Sequence, residues 1–260
     1  MANTINNLSN ASVSFRNATV PAKVTATTDI SLFTASQINA LSAGEVAGLN
    51  EDQVSSISVS AMSGFTNKQL SVMTAASVAA MSDSQVAALS NTQLSGFGAK
   101  QMGALTSSQI NAFTTTQLSA LKATQISSLS ASQMGSVDNS QLTALSSNQI
   151  QALTTDQIVN LIADQLGALG TAQIASFKDA QIKAIETRDI NGLTTDQVVA
   201  MNLNQVKSLS SDQLRAMSTD QIRAIESKDF VALSASQLGS FSASQLQVFS
   251  PAQLAALTPS

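Results

Sequence analysis

The sequence predicts an all-α repeat solenoid of short, capped helical turns. Three observations lead to this fold class. A large apolar residue recurs every eight positions from Phe33 to Leu257, a second apolar column follows each of these residues by five positions, and a Ser/Thr-x-x-Gln pattern lies between the two columns. Residues 33–256 thus hold 28 whole octads, in which the first apolar residue is position one. A repeat this strict indicates an array in which each unit packs mainly on its neighbours.

Each octad contains the signal for the start of a helix. Position two is Ser, Thr, Asn or Asp in 21 of the 28 octads, and position five is Gln in 23. This spacing is a capping box, with apolar residues at positions one and six placed for a hydrophobic staple. Pro251 and Pro259 fall at position three, the first helical residue, where proline is tolerated. The pattern predicts a new helical turn of about six residues in every octad.

Such short helices need support from other parts of the chain. Nucleation costs more free energy than one or two hydrogen bonds return, so a single turn is unstable alone. We therefore expect neighbouring turns to share hydrogen bonds and to pack closely. Position eight is Ala, Ser or Gly in 25 of the 28 octads, which permits a close approach.

Two alternative folds are less compatible with this pattern. In one continuous helix, eight residues advance the phase by about 800°, so the apolar columns would not form one face. A β-solenoid remains the alternative, because coils of two or three octads would keep the repeat in register and stack the glutamines. However, positions one and six have opposite parity, so one of them would point out of the coil.

The two ends differ from the repeat. We divide the chain into an N-terminal segment, residues 1–32, which caps the array or exchanges a strand, and the octad solenoid, residues 33–260. The first segment shows a β-like pattern around Pro21, and the last octad has no polar terminator. Joining such unlike ends gives a filament by default. The hypothesised assembly interface comprises Val13, Phe15, Val20, Val24, Phe249, Leu254 and Leu257.

The composition excludes much familiar chemistry. The chain has no Cys, His, Trp or Tyr, and only 12 basic and 16 acidic residues, so no catalytic residue, metal ligand set or cofactor site is predicted. Without clustered Lys and Arg, nucleic acid is not expected as a partner. The first ten residues lack the features of a Sec signal, and no apolar stretch approaches the length of a membrane span.

Two octads differ from the others because acids replace both the cap and the glutamine. These acids are Glu186 with Asp189 and Glu226 with Asp229, five octads apart. Acids three residues apart could hold a hard cation, and the sequence leaves this reading open. We favour a structural interpretation, in which the Asp accepts a hydrogen bond from the N–H of the cap residue and the adjacent Arg188 or Lys228 balances the charge.

The consensus, Leu-Ser/Thr-x-x-Gln-Ile-x-Ala, resembles the Leu-Thr-x-x-Gln-Ile-x-Ala octad arrays of bacterial repeat exoproteins labelled adhesins. The resemblance covers residues 33–257. It implies a structural or adhesive role outside the cell. Single octads such as Leu193–Ala200 also resemble the first helix of transcription-activator-like effector repeats, but eight residues leave no room for a base-reading loop, so DNA recognition does not follow.

These observations predict a non-enzymatic, extracellular or cell-surface bacterial protein, exported without an N-terminal Sec signal, that assembles head to tail into a filament or surface layer. Its expected partners are further copies of itself and the cell surface or matrix. The alternative is a binding module that presents one solenoid face to a glycan, ice or a protein, and the alternative location is the cytoplasm.

Overall fold

The computed structural model describes residues 23–257 of the 260-residue chain. The chain divides into two compact units, residues 1–129 and residues 130–260, and each is described by itself below. Both described parts consist of short helices that succeed one another at octad spacing. The predicted all-α repeat solenoid of capped turns is confirmed.

The first unit contains eleven described α-helices and one 3-10 helix, each four to six residues long. Between residues 23 and 129, the α-helices are Ala35–Asn39, Ala43–Ala47, Glu51–Ser56, Asn67–Ser71, Ala75–Ala79, Asp83–Ala87, Asn91–Leu94, Ala99–Ala104, Ser107–Asn111, Thr115–Ala120 and Ala123–Ile126, and the 3-10 helix is Val59–Gly64.

The second unit follows the same plan, with fifteen described α-helices and one 3-10 helix. Between residues 130 and 257, the α-helices are Ala131–Gly135, Asn139–Thr143, Ser147–Ala152, Thr155–Val159, Ala163–Ala168, Thr171–Ala175, Asp179–Ala184, Thr195–Val199, Leu203–Ser208, Ser211–Ala216, Thr219–Ala224, Ser227–Phe230, Ala235–Leu238, Ala243–Leu246 and Pro251–Ala256, and the 3-10 helix is Ile190–Gly192.

Most of these helices begin at the capping box that the sequence predicts. At Ser82 the backbone is extended (φ −72°, ψ 158°), and the Ser82 N–H donates to Gln85 Oε1 at 2.7 Å. In return, the Gln85 N–H donates to Ser82 Oγ at 3.2 Å. Where the cap is glycine, as at Gly98, only the bond from the backbone N–H to the glutamine side chain forms. The next cap then requires extended backbone, so each helix ends within about six residues.

The two apolar columns form the core. The position-six side chains from Ile38 to Phe230 are at most 1% exposed, and those at position one from Leu41 to Ile225 are 1% to 5% exposed. Burial of two large side chains per octad supplies the free energy that isolated turns lack.

The spacing of the contacts defines the superhelical turn. A helix packs against the third helix along the chain, three octads further on, as Thr195–Val199 does on Thr219–Ala224. The position-five glutamines bond backwards to residues 28 to 31 positions earlier, for example Gln85 to Val54 and Ile57. Position five of one octad therefore lies opposite the junction of two octads in the preceding turn, so successive turns are offset by about half an octad. One turn takes about three and a half octads.

Glycine at position eight marks the closest contacts between turns. A Cβ on Gly96 would lie 2.3 Å from the Asn67 carbonyl oxygen, and one on Gly64 would lie 2.1 Å from that of Ala35. No φ is positive at either residue, so glycine is required here by the close approach and not by backbone conformation. The expected close packing through small residues is thus present at these octads.

The β-solenoid alternative is wrong, because residues 23–257 contain no strand. The predicted strands around Pro21 lie mostly outside the described residues. The one interface residue of that segment that is described, Val24, is buried at 7% exposure in irregular backbone.

Candidate functional site

The position-five glutamines form a ladder between turns, which we call the Gln ladder. Gln85 is 1% exposed, and its Oε1 accepts from the Ser82 N–H within its own octad. Its Nε2 donates to the Val54 carbonyl at 2.9 Å and to the Ile57 carbonyl at 2.6 Å, both in the preceding turn. One amide thus caps its own helix and joins two turns. The same pattern recurs in the second unit, where Gln205 donates to Ile174 and Phe177.

This second role of the glutamine was not predicted from the sequence. The predicted capping box accounts for the side-chain oxygen only, and the expectation that turns share hydrogen bonds named no residue. A signal was available, because a capping box accepts Glu as readily as Gln. Position five holds Gln in 23 octads and Glu only at Glu45. Near-exclusive use of the amide indicates that its two N–H donors are needed, and a carboxylate has none.

The ladder changes where the glutamine is replaced in the first unit. Ser77 keeps part of the link, because its hydroxyl donates to the Leu49 carbonyl 28 residues earlier at 2.8 Å. Glu45 instead accepts from the Val24 N–H at 2.9 Å and from Ser42. The bond from the Ser42 hydroxyl first, and then those from the Val24 and Ser42 N–H groups, lower the pKa of Glu45 to about 2. Glu45 therefore holds residues 23–32 against the first octads as a carboxylate.

The same segment serves as a preceding turn for the first octads. Gln53 Nε2 donates to the Thr25 and Thr28 carbonyls at 2.8 Å each, and Ile30 is 1% exposed. Residues 24–30 thus provide acceptors and an apolar side chain although they lack the octad sequence. The hypothesised interface residues Val13, Phe15 and Val20 lie outside the described residues.

The acidic octads do not form the capping boxes that we expected. No α-helix begins directly after Glu186, and a 3-10 helix begins at Ile190 instead. Glu226 does precede an α-helix, but its side chain makes no cap hydrogen bond. Asp189 accepts instead from the Ala163 N–H, 26 residues earlier, at 3.2 Å. The expectation that Asp bonds its own cap N–H is wrong at Asp189, because the shorter side chain faces the start of a helix in the preceding turn.

The charges of these octads are partly balanced locally, because each octad has one base for its two acids. Arg188 contacts Glu186 at 2.9 Å and Asp189 at 3.3 Å, and Lys228 contacts Glu226 at 2.5 Å. Their separation of five octads is not a whole number of superhelical turns, so the two octads lie on different sides of the solenoid. Residues 23–257 contain no cluster of three or more acids that could hold a metal ion.

The C-terminal turn differs most from the rest of the core. In the position-six column, Leu238 is half-buried, Leu246 is 50% exposed and Leu254 is 51% exposed, whereas every earlier member is at most 1% exposed. Of the interface residues predicted here, Leu254 is exposed, Leu257 is half-buried and Phe249 is buried at 9% exposure. We call Leu238, Leu246 and Leu254 with their backbone carbonyls the C-terminal face.

The carbonyls of this face also lack ladder partners. The last glutamine, Gln253, donates to the Ile222 and Ile225 carbonyls, and within the described residues no ladder glutamine reaches the carbonyls that follow. Phe230, Phe241 and Phe249 fill the interior beneath the face, and the ring centroids of the two edge-to-face pairs are 5.1 Å apart. The aromatic side chains of this turn are therefore buried, whereas the leucines of the C-terminal face are exposed to solvent.

Comparison with known proteins supports the repeat assignment. The model of the ALTTAQ repeat matches residues 86–115, 163–195, 193–224 and 222–259, which together make up just under half of the chain. The six letters of its name correspond to position eight of one octad followed by positions one to five of the next, as in Ala152–Gln157. This stretch contains the junction of two octads and the capping box. The chain is therefore a repeat protein similar to the ALTTAQ repeats. No curated protein matches it.

Within residues 23–257, no helix has both the length and the apolar character needed to cross a bilayer. The longest helices in this range have six residues.

Proposed function

We propose that the protein is a structural, adhesive repeat protein that assembles head to tail, with the C-terminal face of one copy covered by the N-terminal segment of the next. The observation that carries this proposal is the exposure of Leu246 and Leu254 in a column that is fully buried from Ile38 to Phe230. Each half-exposed leucine stands to gain about 1 kcal/mol on burial.

We favour a second copy as the partner because the C-terminal face presents the groups that pack against the next turn elsewhere in the chain. These groups are apolar side chains and backbone carbonyls that accept hydrogen bonds. The N-terminal segment already makes one contact of this kind inside its own chain, where residues 24–30 supply acceptors to Gln53. The proposal assigns the rest of that segment to the contact with the neighbouring molecule.

Unlike ends that bind each other do not close on themselves unless a rotation completes a ring. The expected product is a filament, which suits a surface layer or matrix. The resemblance to octad exoproteins supports a location outside the bacterial cell, and the proposal assigns no catalytic step and no cofactor.

The test compares the wild type with Leu246→Asp/Leu254→Asp by light scattering and negative-stain microscopy. We expect concentration-dependent filaments of the wild type and monomers of the double variant, because the joint would bury two charges at a cost of several kcal/mol. Val199→Asp is the matched control, since Val199 is 46% exposed but lies outside the face. A wild type that stays monomeric at high concentration, or a double variant that still forms filaments, would exclude this joint.

A further inference from the structure

Ile162 is an unusual cap residue of the second unit. Of the 28 residues at position two of the octads, it is the one with an apolar side chain. It is the N-cap of Ala163–Ala168 and makes no side-chain cap hydrogen bond, and it is 55% exposed. An apolar N-cap leaves a helix less stable than Ser or Thr does. The stability of this helix therefore does not account for isoleucine at position 162.

Ile162 lies in an open, mostly apolar cleft together with two carboxylates. Asp138 and Asp164 line the same cleft, which spans the packed helices Asn139–Thr143 and Ala163–Ala168. These two helices and their caps carry two acids and no base. No described residue forms an ion pair with either acid. The Ile162 cleft, which we define by Ile162, Asp138 and Asp164, thus offers an apolar side chain beside uncompensated negative charge.

A second group of exposed apolar residues lies further along the same unit. Val199 is 46% exposed, Leu203 is 41% exposed and Val231 is 61% exposed. Leu203 begins the helix Leu203–Ser208, which packs against Ser227–Phe230, the helix whose C-cap is Val231. Val231 follows Leu203 by 28 residues, about one superhelical turn, so the two residues lie on the same side of neighbouring turns. We call Val199, Leu203 and Val231 the Val-Leu patch.

Lys207 supplies positive charge beside this patch. It follows Leu203 by four residues in one helix, so the two side chains share a helix face. Lys207 is exposed, and no described residue forms an ion pair with it. The two helices that pack against Leu203–Ser208, with their caps, carry acids and bases in equal number, namely Asp179, Glu226 and Asp229 against Lys178, Lys183 and Lys228.

The cleft and the patch lie on opposite sides of the unit. Leu203 follows Ile162 by 41 residues, and Val231 follows it by 69. With about 28 residues per turn, these separations are about one and a half and two and a half turns. A copy that lies alongside in the same orientation therefore brings its patch to the cleft of its neighbour. The charge of Lys207 then complements those of Asp138 and Asp164.

We propose that a second copy of the chain docks laterally, with its Val-Leu patch on the Ile162 cleft. The lateral contact joins filaments side by side into a layer, and in this respect the inference rests on the proposed head-to-tail assembly. One such contact is small and holds two separate molecules weakly. Its repetition along two filaments makes the association strong, because each further contact forms between molecules that are already held together.

The first test compares wild type with Ile162→Ser and Leu203→Asp by negative-stain microscopy. Serine restores the consensus cap for the Gln165 N–H, so Ile162→Ser should unfold at a urea concentration equal to or above that of the wild type. We expect layers of filaments from the wild type and single filaments from both variants. Val59→Ser, which removes a 45% exposed valine from the first unit, is the matched control and should leave the layers intact.

A second test separates this contact from head-to-tail assembly. Because the chain has no Cys, Ile162→Cys and Val231→Cys proteins are mixed at high concentration, each also carrying Leu246→Asp/Leu254→Asp, and oxidised. We expect a disulfide between the two different proteins, and none when Val59→Cys replaces Ile162→Cys. This disulfide supports the lateral contact even if the wild type forms no filaments, a result that excludes head-to-tail assembly alone. Absence of the disulfide, wild-type filaments that stay single, or layers that persist in Ile162→Ser would overturn the proposal.

Discussion

Replacement of Gln197 tests whether the ladder holds turns together or only caps helices. Gln197 is 1% exposed, and its Oε1 accepts from the Thr194 N–H at 2.7 Å. Its Nε2 donates to the Leu166 carbonyl at 2.9 Å and to the Leu169 carbonyl at 2.6 Å. A net contribution of about 1 kcal/mol per hydrogen bond gives a loss of about 3 kcal/mol for Gln197→Ala.

Two further variants separate the two roles. Thr194→Ala removes only the bond from the Gln197 N–H to Thr194 Oγ1, at 3.2 Å, and should cost about 1 kcal/mol. Gln197→Glu keeps an acceptor for the cap but loses both donors and places a negative charge in the register of two carbonyl oxygens. It should cost at least about 2 kcal/mol at neutral pH and less under acid conditions, where the carboxyl is protonated.

The measurement is urea denaturation followed by far-ultraviolet circular dichroism, with Thr195→Ala as an exposed control in the same helix. We expect the control to lie within about 0.5 kcal/mol of the wild type. A link between turns through Gln197 is refuted if Gln197→Ala costs no more free energy of unfolding than Thr194→Ala, or if Gln197→Glu leaves that free energy unchanged at neutral pH. Either result would reduce the glutamine to a capping residue.

Two other predictions concern the close contacts and the N-terminal segment. Gly96→Ala should destabilise the protein by about 1 to 3 kcal/mol in the same denaturation assay, because the new Cβ meets the Asn67 backbone, while Gly44→Ala, with no heavy atom within 4 Å, should be neutral or stabilising. Equal effects of the two substitutions would contradict the packing. Because the pKa of Glu45 is lowered to about 2, its contribution is present above the unfolded value of about 4.5 and is lost as the pH falls toward 2. Hydrogen exchange at the Val24 amide should therefore lose protection in acid, and Glu45→Gln, whose neutral amide can still accept, should suppress that pH dependence.

The sequence determined the local structure of this protein because the information for each helix lies within eight residues. The Ser82 and Gln85 pair illustrates this: cap, helix start and helix length all follow from residues three positions apart. The core columns were equally predictable, since positions one and six repeat without slippage. Because the repeat is strict, the local structure of each octad can be predicted from its own eight residues.

The tertiary structure decided how octads are assembled into turns. The sequence of one octad does not determine that Gln85 bonds to Val54 and Ile57. That contact depends on the sum of the rotations between successive helices over a whole superhelical turn. The half-octad offset and the bond from the Ala163 N–H to Asp189 likewise depend on this turn length. A small change in the rotation per octad would pair different residues across turns while leaving every capping box unchanged, and therefore the repeat alone could not specify these contacts.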